Sequence, residues 1–479
     1  MENGSLQKIS AVVAGILTGS HRPADLGKEP VEVSIDSRAV QGDELFFALE
    51  GEHSDGHRFV ADALTKGAAA AVVRRDWAKA HAELSGVLIG VDDPLTALAQ
   101  LAGWYRRRFT LPMVAITGTN GKTTTKDMAA CVLSSKHRVL KTGASFNNHI
   151  GVPLTLLRLS SAHEVAVVEL GMSAPGEIAA LCRLVRPSVG VITNVGPAHF
   201  EAFDSVAEIA AAKGELLAAL DETASAVLNA DDPLVMRQQN RFQGRVIGFG
   251  IEHPCAFRAE TITLNGQGRA CFTIGETSVM LSIPGKHNIY NALAAMAVGS
   301  LFGISPDEAA HALKNAPTSP MRMEVTERNG VTFLNDGYNA NPVSMRSALE
   351  TLTDFGFRIS DWGLKNPRNP QSGTARKIAV LGDMLELGAI TPKAHEEVGR
   401  VAAALGVDGL FCFGPFAKHI RTGAIRAGMH EGSARHFDDK TRLSGTLRSF
   451  LRPGDVVLIK GSRGMRMEEI LERLVSSES

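Results

Sequence analysis

The run Gly118-Thr119-Asn120-Gly121-Lys122-Thr123-Thr124 follows a short apolar stretch, Met113–Ile116, and precedes a helical pattern from Thr125 to Leu133. Strand, glycine turn, Gly-Lys-Thr and helix in that order describe a cradle for nucleotide phosphates. Glycines let backbone N–H groups approach phosphate oxygens, and the helix N-terminus adds partial positive charge. Lys122 is expected to reach the β- and γ-phosphates, and the Thr123 hydroxyl to ligate Mg²⁺. Ile116 occupies the place where the usual pattern has its first glycine. The bland alternative is a Gly-rich turn with a surface lysine.

Four further groups fall after apolar runs, where open parallel sheets place their ligands. Glu169 ends Val165-Ala166-Val167-Val168, across from the phosphate loop, and is a natural Mg²⁺ ligand there. His199 follows the strand pattern Val189–Thr193, although a lone histidine is more often structural. Lys213 lies in the Ala-rich helical stretch Val206–Leu220, where a lysine usually faces solvent. Asn229-Ala230-Asp231-Asp232-Pro233 closes the apolar run Ala226–Leu228, and loop or helix-cap chemistry suffices for it.

These residues need a scaffold, and 479 residues exceed a single ordinary core, so two to four domains are expected. Lys and Arg number 50 against 51 Asp and Glu, which argues against broad binding to nucleic acid or anionic membrane. Five scattered cysteines without a C-x-x-C pair read as reduced thiols of a cytoplasmic protein. Ile9–Leu17 is apolar but short and lacks a basic cluster before it; Gly15–Ser20 reads as the end of a first helix, so no export signal or membrane span is expected.

Strand and helix patterns alternate in three blocks. In the first, strands are expected at Val31–Ile35, Glu44–Ala48, Ala69–Val73 and Gly86–Val91, closed by a basic helix, Ala102–Arg108, whose charges form a solvated face. Pro112 marks its end. In the second, strands at Val114–Thr117, Val165–Glu169, Val189–Thr193 and Ala226–Leu228 predict a parallel, doubly wound sheet. A small antiparallel patch is expected over Arg245–Ile283, then a helix over Asn288–Leu301 and a Pro-rich linker, Ala316–Pro320. The third block repeats β–α units at Thr332–Asn335, Lys377–Leu381, Gly409–Phe413 and Val456–Ile459, and Arg358–Thr374 reads as a surface loop.

Together, the phosphate loop, Glu169-Leu170-Gly171, Thr193-Asn194 with Pro197-Ala198-His199, Lys213-Gly214-Glu215, and Gly285-Lys286-His287-Asn288 with Asn291-Ala292 resemble the Mur ligase family. These are ATP-dependent amide-forming enzymes of peptidoglycan precursor synthesis, in which Gly-Thr-x-Gly-Lys-Thr is the usual loop. Three stretches are similar to the branch that adds D-alanyl-D-alanine: Asn147–Thr155, Asp336-Gly337-Tyr338-Asn339-Ala340-Asn341-Pro342, and Leu381–Gly388. Asp36-Ser37-Arg38 with Gly51 and Asp55-Gly56-His57 resembles a uridine-nucleotide-binding domain. No Asp-Asn-Pro-Arg stretch, the diamino-acid-selecting motif of a sister branch, is present in the last block. His149 stands where relatives commonly carry an acidic residue, and Arg358–Thr374 looks like an insertion.

The resemblance implies an α/β protein of three domains. Residues 1–110 would bind the UDP-substrate, and 111–320 would form a P-loop ATPase-like parallel sheet with a small antiparallel sheet. Residues 321–479 would form a Rossmann-like domain binding D-Ala-D-Ala. It further implies a cytoplasmic monomer that transfers the ATP γ-phosphate to the terminal carboxylate of UDP-N-acetylmuramoyl-tripeptide. The amine of D-Ala-D-Ala then attacks the acyl phosphate. Lys122, Glu169, His199 and Lys213 would be catalytic. Gly118 to Thr124, with Asn288, Asn291, Arg322 and Asp336, would hold ATP. Thr123, Glu169, His199 and a carbamylated Lys213 would hold two Mg²⁺ ions. Substrate contacts would fall to Ser37, Arg38, Asp55, Gly56, His57, Asn147, Asn148, Tyr338, Asn339, Asn341, Lys460, Ser462 and Arg463.

Overall fold

The computed structural model describes every residue except Met1, Asn3, Glu52, His53, His199, 356–374 and 476–479. The expected loop Arg358–Thr374 and His199 therefore lie outside the described residues. Four sheets carry the chain. The first has five strands in the order Ile16–Thr18, Leu88–Val91, Ala70–Arg74, Leu45–Phe47, Val33–Ser34, parallel except for the antiparallel Ile16–Thr18. Gly15–Ser20 is thus not a helix end. The helix stops at Val12, and Ala14 at φ 50° turns the chain into an edge strand.

The central sheet has seven strands, all parallel: Phe257–Arg258, Arg245–Gly250, Ser225–Asn229, Val189–Ile192, Met113–Thr117, Val165–Glu169, Val139–Lys141. The phosphate-loop strand sits near the middle, between Val165–Glu169 and Val189–Ile192. Its residues Val114, Ala115 and Ile116 are fully buried on both faces, as continuous apolar runs in parallel sheets must be. The expected antiparallel patch begins later than Arg245. Val246, Ile247 and Phe249 pair in parallel with Ala226, Val227 and Asn229, and only Glu260–Leu264, Arg269–Ile274 and Thr277–Pro284 form the three-stranded antiparallel sheet. The short strand Val139–Lys141 carries too few apolar residues to be read from pattern.

The last sheet has six strands in the order Glu324–Arg328, Val331–Asp336, Val456–Lys460, Lys377–Gly382, Gly409–Phe413, Ala434–Phe437, with only the first antiparallel. The helix Asn288–Leu301 lies where expected, and the phosphate-loop helix runs from Lys122 to Leu133. Two helices differ from expectation. Val206–Leu220 breaks at Gly214 into Val206–Lys213 and Glu215–Ala218. Pro94–Arg106 ends in a buried guanidinium: Arg106 donates from Nε to the Val185 carbonyl at 2.8 Å and from Nη1 to the Phe109 carbonyl at 2.5 Å. That charge fastens a helix to the central domain and is not a solvated face. Among the described residues, no helix is long and apolar enough to cross a membrane.

Candidate active site

The phosphate loop is held open by its own chemistry. Gly118 has φ 149° and Gly121 φ 80°; a Cβ on Gly118 would stand 1.9 Å from Thr193 Oγ1, and one on Gly121 2.3 Å from Asn291 Oδ1. Only glycine permits that backbone at that distance. Asn194, at the end of the neighbouring strand, pins the loop: its Oδ1 accepts the Asn120 N–H at 2.9 Å and its Nδ2 donates to the Asn120 carbonyl at 3.0 Å. Thr193 Oγ1 donates to the same carbonyl at 2.6 Å. Lys122 folds back onto the loop, donating to the carbonyls of Gly118 at 2.8 Å and Thr119 at 3.2 Å. Burial lowers its pKa from the ordinary lysine range, partly opposed by Glu169.

Glu169 ends its strand 1% exposed. Its Oε1 accepts from Asn147 Nδ2 at 2.7 Å, while Oε2 is buried without a hydrogen-bond partner among the described residues. Thr123, also buried, presents Oγ1 to Arg322 Nη2 at 3.2 Å and lies 3.5 Å from Ser145 Oγ. A buried carboxylate oxygen with no donor, beside a threonine hydroxyl and a phosphate cradle, is the oxygen-rich setting a hard divalent cation needs. The residues fit Mg²⁺. Lys213 is 2% exposed, so the sequence expectation of a solvent-facing side chain fails. Burial, with the nearby charge of Lys122, pushes its pKa well below the lysine range.

From the last block, Lys460 Nζ meets Asp336 Oδ2 at 2.5 Å. Asp336 Oδ1 accepts the Met323 N–H at 3.2 Å. The guanidinium of Arg322 lies 4.0 Å from the centroid of the Tyr338 ring, a cation–π stack that aims it at Thr123. Asn341 caps the helix Pro342–Asp354 by accepting the Ser344 N–H at 2.9 Å. It also exchanges amide hydrogen bonds with Asn120 of the phosphate loop, at 2.8 and 3.4 Å. Asn339 Oδ1 accepts the Ala340 N–H, and its carbonyl accepts from Lys460 at 2.9 Å. His287, its pKa lowered by burial, faces the same pair of charges.

These groups border one cavity of about 620 Å³, within the range of small-molecule sites. Of the sequence-derived candidates it brings together Thr119 to Thr124, Asn147, Asn148, Glu169, Asn288, Asn291, Arg322, Asp336, Tyr338, Asn339, Asn341 and Lys460, with His149 at its edge. The amides of Asn288 and Asn291 are engaged within the protein: Asn291 donates to Asn288 Oδ1 at 2.8 Å, Asn288 donates to the Pro284 carbonyl at 2.7 Å, and Asn291 Oδ1 accepts from Thr125 at 3.1 Å. Ser37, Arg38, Asp55, Gly56 and His57 lie outside the cavity, in the first block. There His57 Nδ1 pairs with Asp55 at 2.7 Å, and its Nε2 accepts the Arg74 N–H at 2.9 Å. Gly118, Lys213, Ser462 and Arg463 are also not among the lining residues. Asn194 and His287, both within the motifs that carry the family resemblance, also line it, as does Ser145, which no motif singles out. Only the position of Ser145 after the strand Val139–Lys141 could have marked it.

Phosphate cradle, orphaned carboxylate and side chains from the last block closing over both define an ATP-dependent ligase-type site, and sequence comparison agrees. The chain matches "Mur ligase family, catalytic domain" over residues 31–106, "Mur ligase middle domain" over 116–299 and "Mur ligase, glutamate ligase domain" over 363–463. The chain belongs to the Mur ligase family. Within that family it is 37% identical to the UDP-N-acetylmuramoyl-tripeptide–D-alanyl-D-alanine ligase of Bacillus subtilis, over 93% of each chain. It is 34% identical to that of Escherichia coli, over 96% of each. Among solved structures it is similar to MurF from Acinetobacter baumannii, with a TM-score of 0.82, 28% identity and 98% of each chain covered. It is also similar to the MurF ligase of Thermotoga maritima in complex with ADP, with a TM-score of 0.77, 30% identity, and 92% of this chain and 96% of that one covered.

Proposed function

We infer that this chain is an ATP-dependent ligase that joins D-alanyl-D-alanine to UDP-N-acetylmuramoyl-tripeptide, releasing ADP and phosphate and yielding the pentapeptide precursor of peptidoglycan. The observation that carries the chemistry is the buried, unpartnered Oε2 of Glu169 beside the phosphate loop. Amide formation from a carboxylate in water is uphill, so the tripeptide carboxylate takes the γ-phosphoryl group. The resulting acyl phosphate is attacked by the dipeptide amine, and a tetrahedral intermediate collapses to amide and phosphate. Two anions must meet. Lys122, released from the loop carbonyls, would reach the transferring phosphoryl group, with Arg322 at Thr123 as a second cation. Thr123 and Glu169 would hold one Mg²⁺, and His199 with Lys213 a second; such ions neutralise phosphate charge when bound. Lys213 would serve as a carbamate: its neutral amine adds to the carbon of CO₂ and loses a proton, and burial favours the neutral amine. Lys460, which donates to the Asn339 carbonyl, is suited to the dipeptide carboxylate. Residues 1–110 would hold the uridine nucleotide, 111–320 ATP and 321–479 the dipeptide, in a monomeric cytoplasmic enzyme.

The test is phosphate release from ATP, which should need UDP-N-acetylmuramoyl-tripeptide and D-Ala-D-Ala together. A methyl in such a pocket is worth ~1–3 kcal/mol, so D-Ala-D-Ser should be joined weakly and L-Ala-L-Ala not at all. Preference for a free diamino acid would overturn the acceptor assignment, and brisk hydrolysis without either substrate would overturn the ligase reading.

A further inference from the structure

Two adjacent charged residues on the phosphate-loop helix are buried and take no part in the chemistry above. Lys126 is 1% exposed and Asp127 6%. A lysine so placed costs stability unless its charge is satisfied. Lys126 Nζ donates to the carbonyls of Thr142 at 2.9 Å and Ala144 at 2.7 Å, and lies 3.5 Å from Asp127 Oδ1. Ala144 has φ 44°, a left-handed backbone that an alanine does not adopt unaided. Beyond it the segment delivers Ser145 to Thr123 and Asn147 to Glu169. Glu169 is tied to the same segment once more, its N–H donating to Thr142 Oγ1 at 3.1 Å, and, two residues on, the Gly171 N–H donates to the Asn147 carbonyl at 2.8 Å.

Asp127 reaches a second segment as well. Its Oδ1 accepts from Lys141 Nζ at 2.6 Å, and its Oδ2 accepts from Ser319 Oγ. Ser319 lies in the Pro-rich linker, three residues before Arg322, whose guanidinium reaches Thr123. One helix therefore grips two separate segments, one reaching Glu169 through Asn147 and the other reaching Thr123 through Arg322.

We propose that Lys126 and Asp127 are positioning residues: Lys126 fixes the segment 142–148 that holds Glu169 through Asn147, and Asp127 fixes the linker that holds Arg322 on Thr123. The proposal rests on the ligase reading only for the placement of Mg²⁺ at Thr123 and Glu169. Outer contacts of this kind commonly carry 10–100-fold in metal affinity. In Lys126→Met, the gain in affinity for a non-hydrolysable ATP analogue on adding Mg²⁺ should shrink by that factor. Binding of ADP without Mg²⁺, which depends on the loop backbone, should be little changed, and deuterium uptake should rise across 142–148. Asp127→Asn should raise uptake across 316–322 instead. Lys126→Arg, which keeps a cation on both carbonyls, should recover part of the Mg²⁺ response. Equal losses with and without Mg²⁺, or wild-type uptake at 142–148, would overturn the role of Lys126. If Lys126→Met does not fold, wild-type Mg²⁺ response and uptake in Asp127→Asn overturn the proposal. Failure of the ligase reading would show in the wild-type protein, as no substrate-dependent phosphate release.

Discussion

Lys122 and Lys213 carry opposite requirements. Lys122 must remain a cation at the transferring phosphoryl group, and it rests on two loop carbonyls rather than in the core. Lys122→Ala should therefore leave the fold intact while lowering turnover about a hundredfold or more, the scale of one deleted electrostatic stabiliser. Steady-state kinetics on a variant with native circular dichroism checks it, and near-normal turnover would count against the phosphate-cradle assignment. Lys213 must instead be neutral before it can react with CO₂, and its 2% exposure provides that. Lys213→Ala should be nearly inactive, and a small carboxylic acid in the buffer should restore part of the activity by supplying oxygens. An intact-mass gain of one CO₂ absent from the variant is the direct readout.

At the level of elements, the strand ends do most of the positioning, and carboxylates fasten the loops between them. Asp232 caps the helix Pro233–Gln238 and accepts the Val195 N–H at 2.7 Å, which ties two loops of the central sheet together. Asp231 accepts the backbone N–H groups of Ile251, Glu252 and His253 and the hydroxyl of Tyr290. Burial alone would raise its pKa, but those N–H donors and His253 override burial and bring it from 3.8 to about 2. Because the folded value is the lower one, the carboxylate stabilises the fold fully above about pH 4 and loses that contribution as pH falls through 2. The contribution is about 2 kcal/mol. Asp231→Asn should flatten the acid limb of the stability curve by that amount. Chemical denaturation between pH 6 and 2.5 measures it, and an unaltered acid limb would show that the clamp contributes nothing.

Across the whole molecule, the last block meets the phosphate loop and its helix through Asn120–Asn341 and Arg322–Thr123. Each such hydrogen bond is worth on the order of 1 kcal/mol, and a ligand that touches both blocks adds its differential binding energy to the closed form. An ATP analogue with UDP-N-acetylmuramoyl-tripeptide should therefore compact the chain, with the linker Ala316–Pro320 beside the hinge. Small-angle scattering reads this directly. An unchanged radius of gyration on adding both ligands would argue that the blocks are docked from the start.

Local pattern determined much of this protein. The glycine spacing around Lys122, the apolar runs ending at Glu169 and Ile192, and the periodic stretch Asn288–Leu301 were each legible because their physics is local. A parallel strand buried on both faces, a helix of defined period and a turn that only glycine permits need no distant partner to be recognised. Tertiary structure decided the rest. Ala-rich surroundings pointed Lys213 toward solvent, but helix packing buried it. Arg106 read as part of a solvated face until carbonyls from two other segments closed around it. Asn341, expected as a substrate contact, caps a helix and grips a loop 221 residues away. Arg245–Gly250 read as antiparallel because a short strand takes its direction from its neighbour, and the neighbour is chosen only when the sheet assembles. Burial, partner choice and sheet order are properties of the folded ensemble of contacts, so no window of sequence contains them.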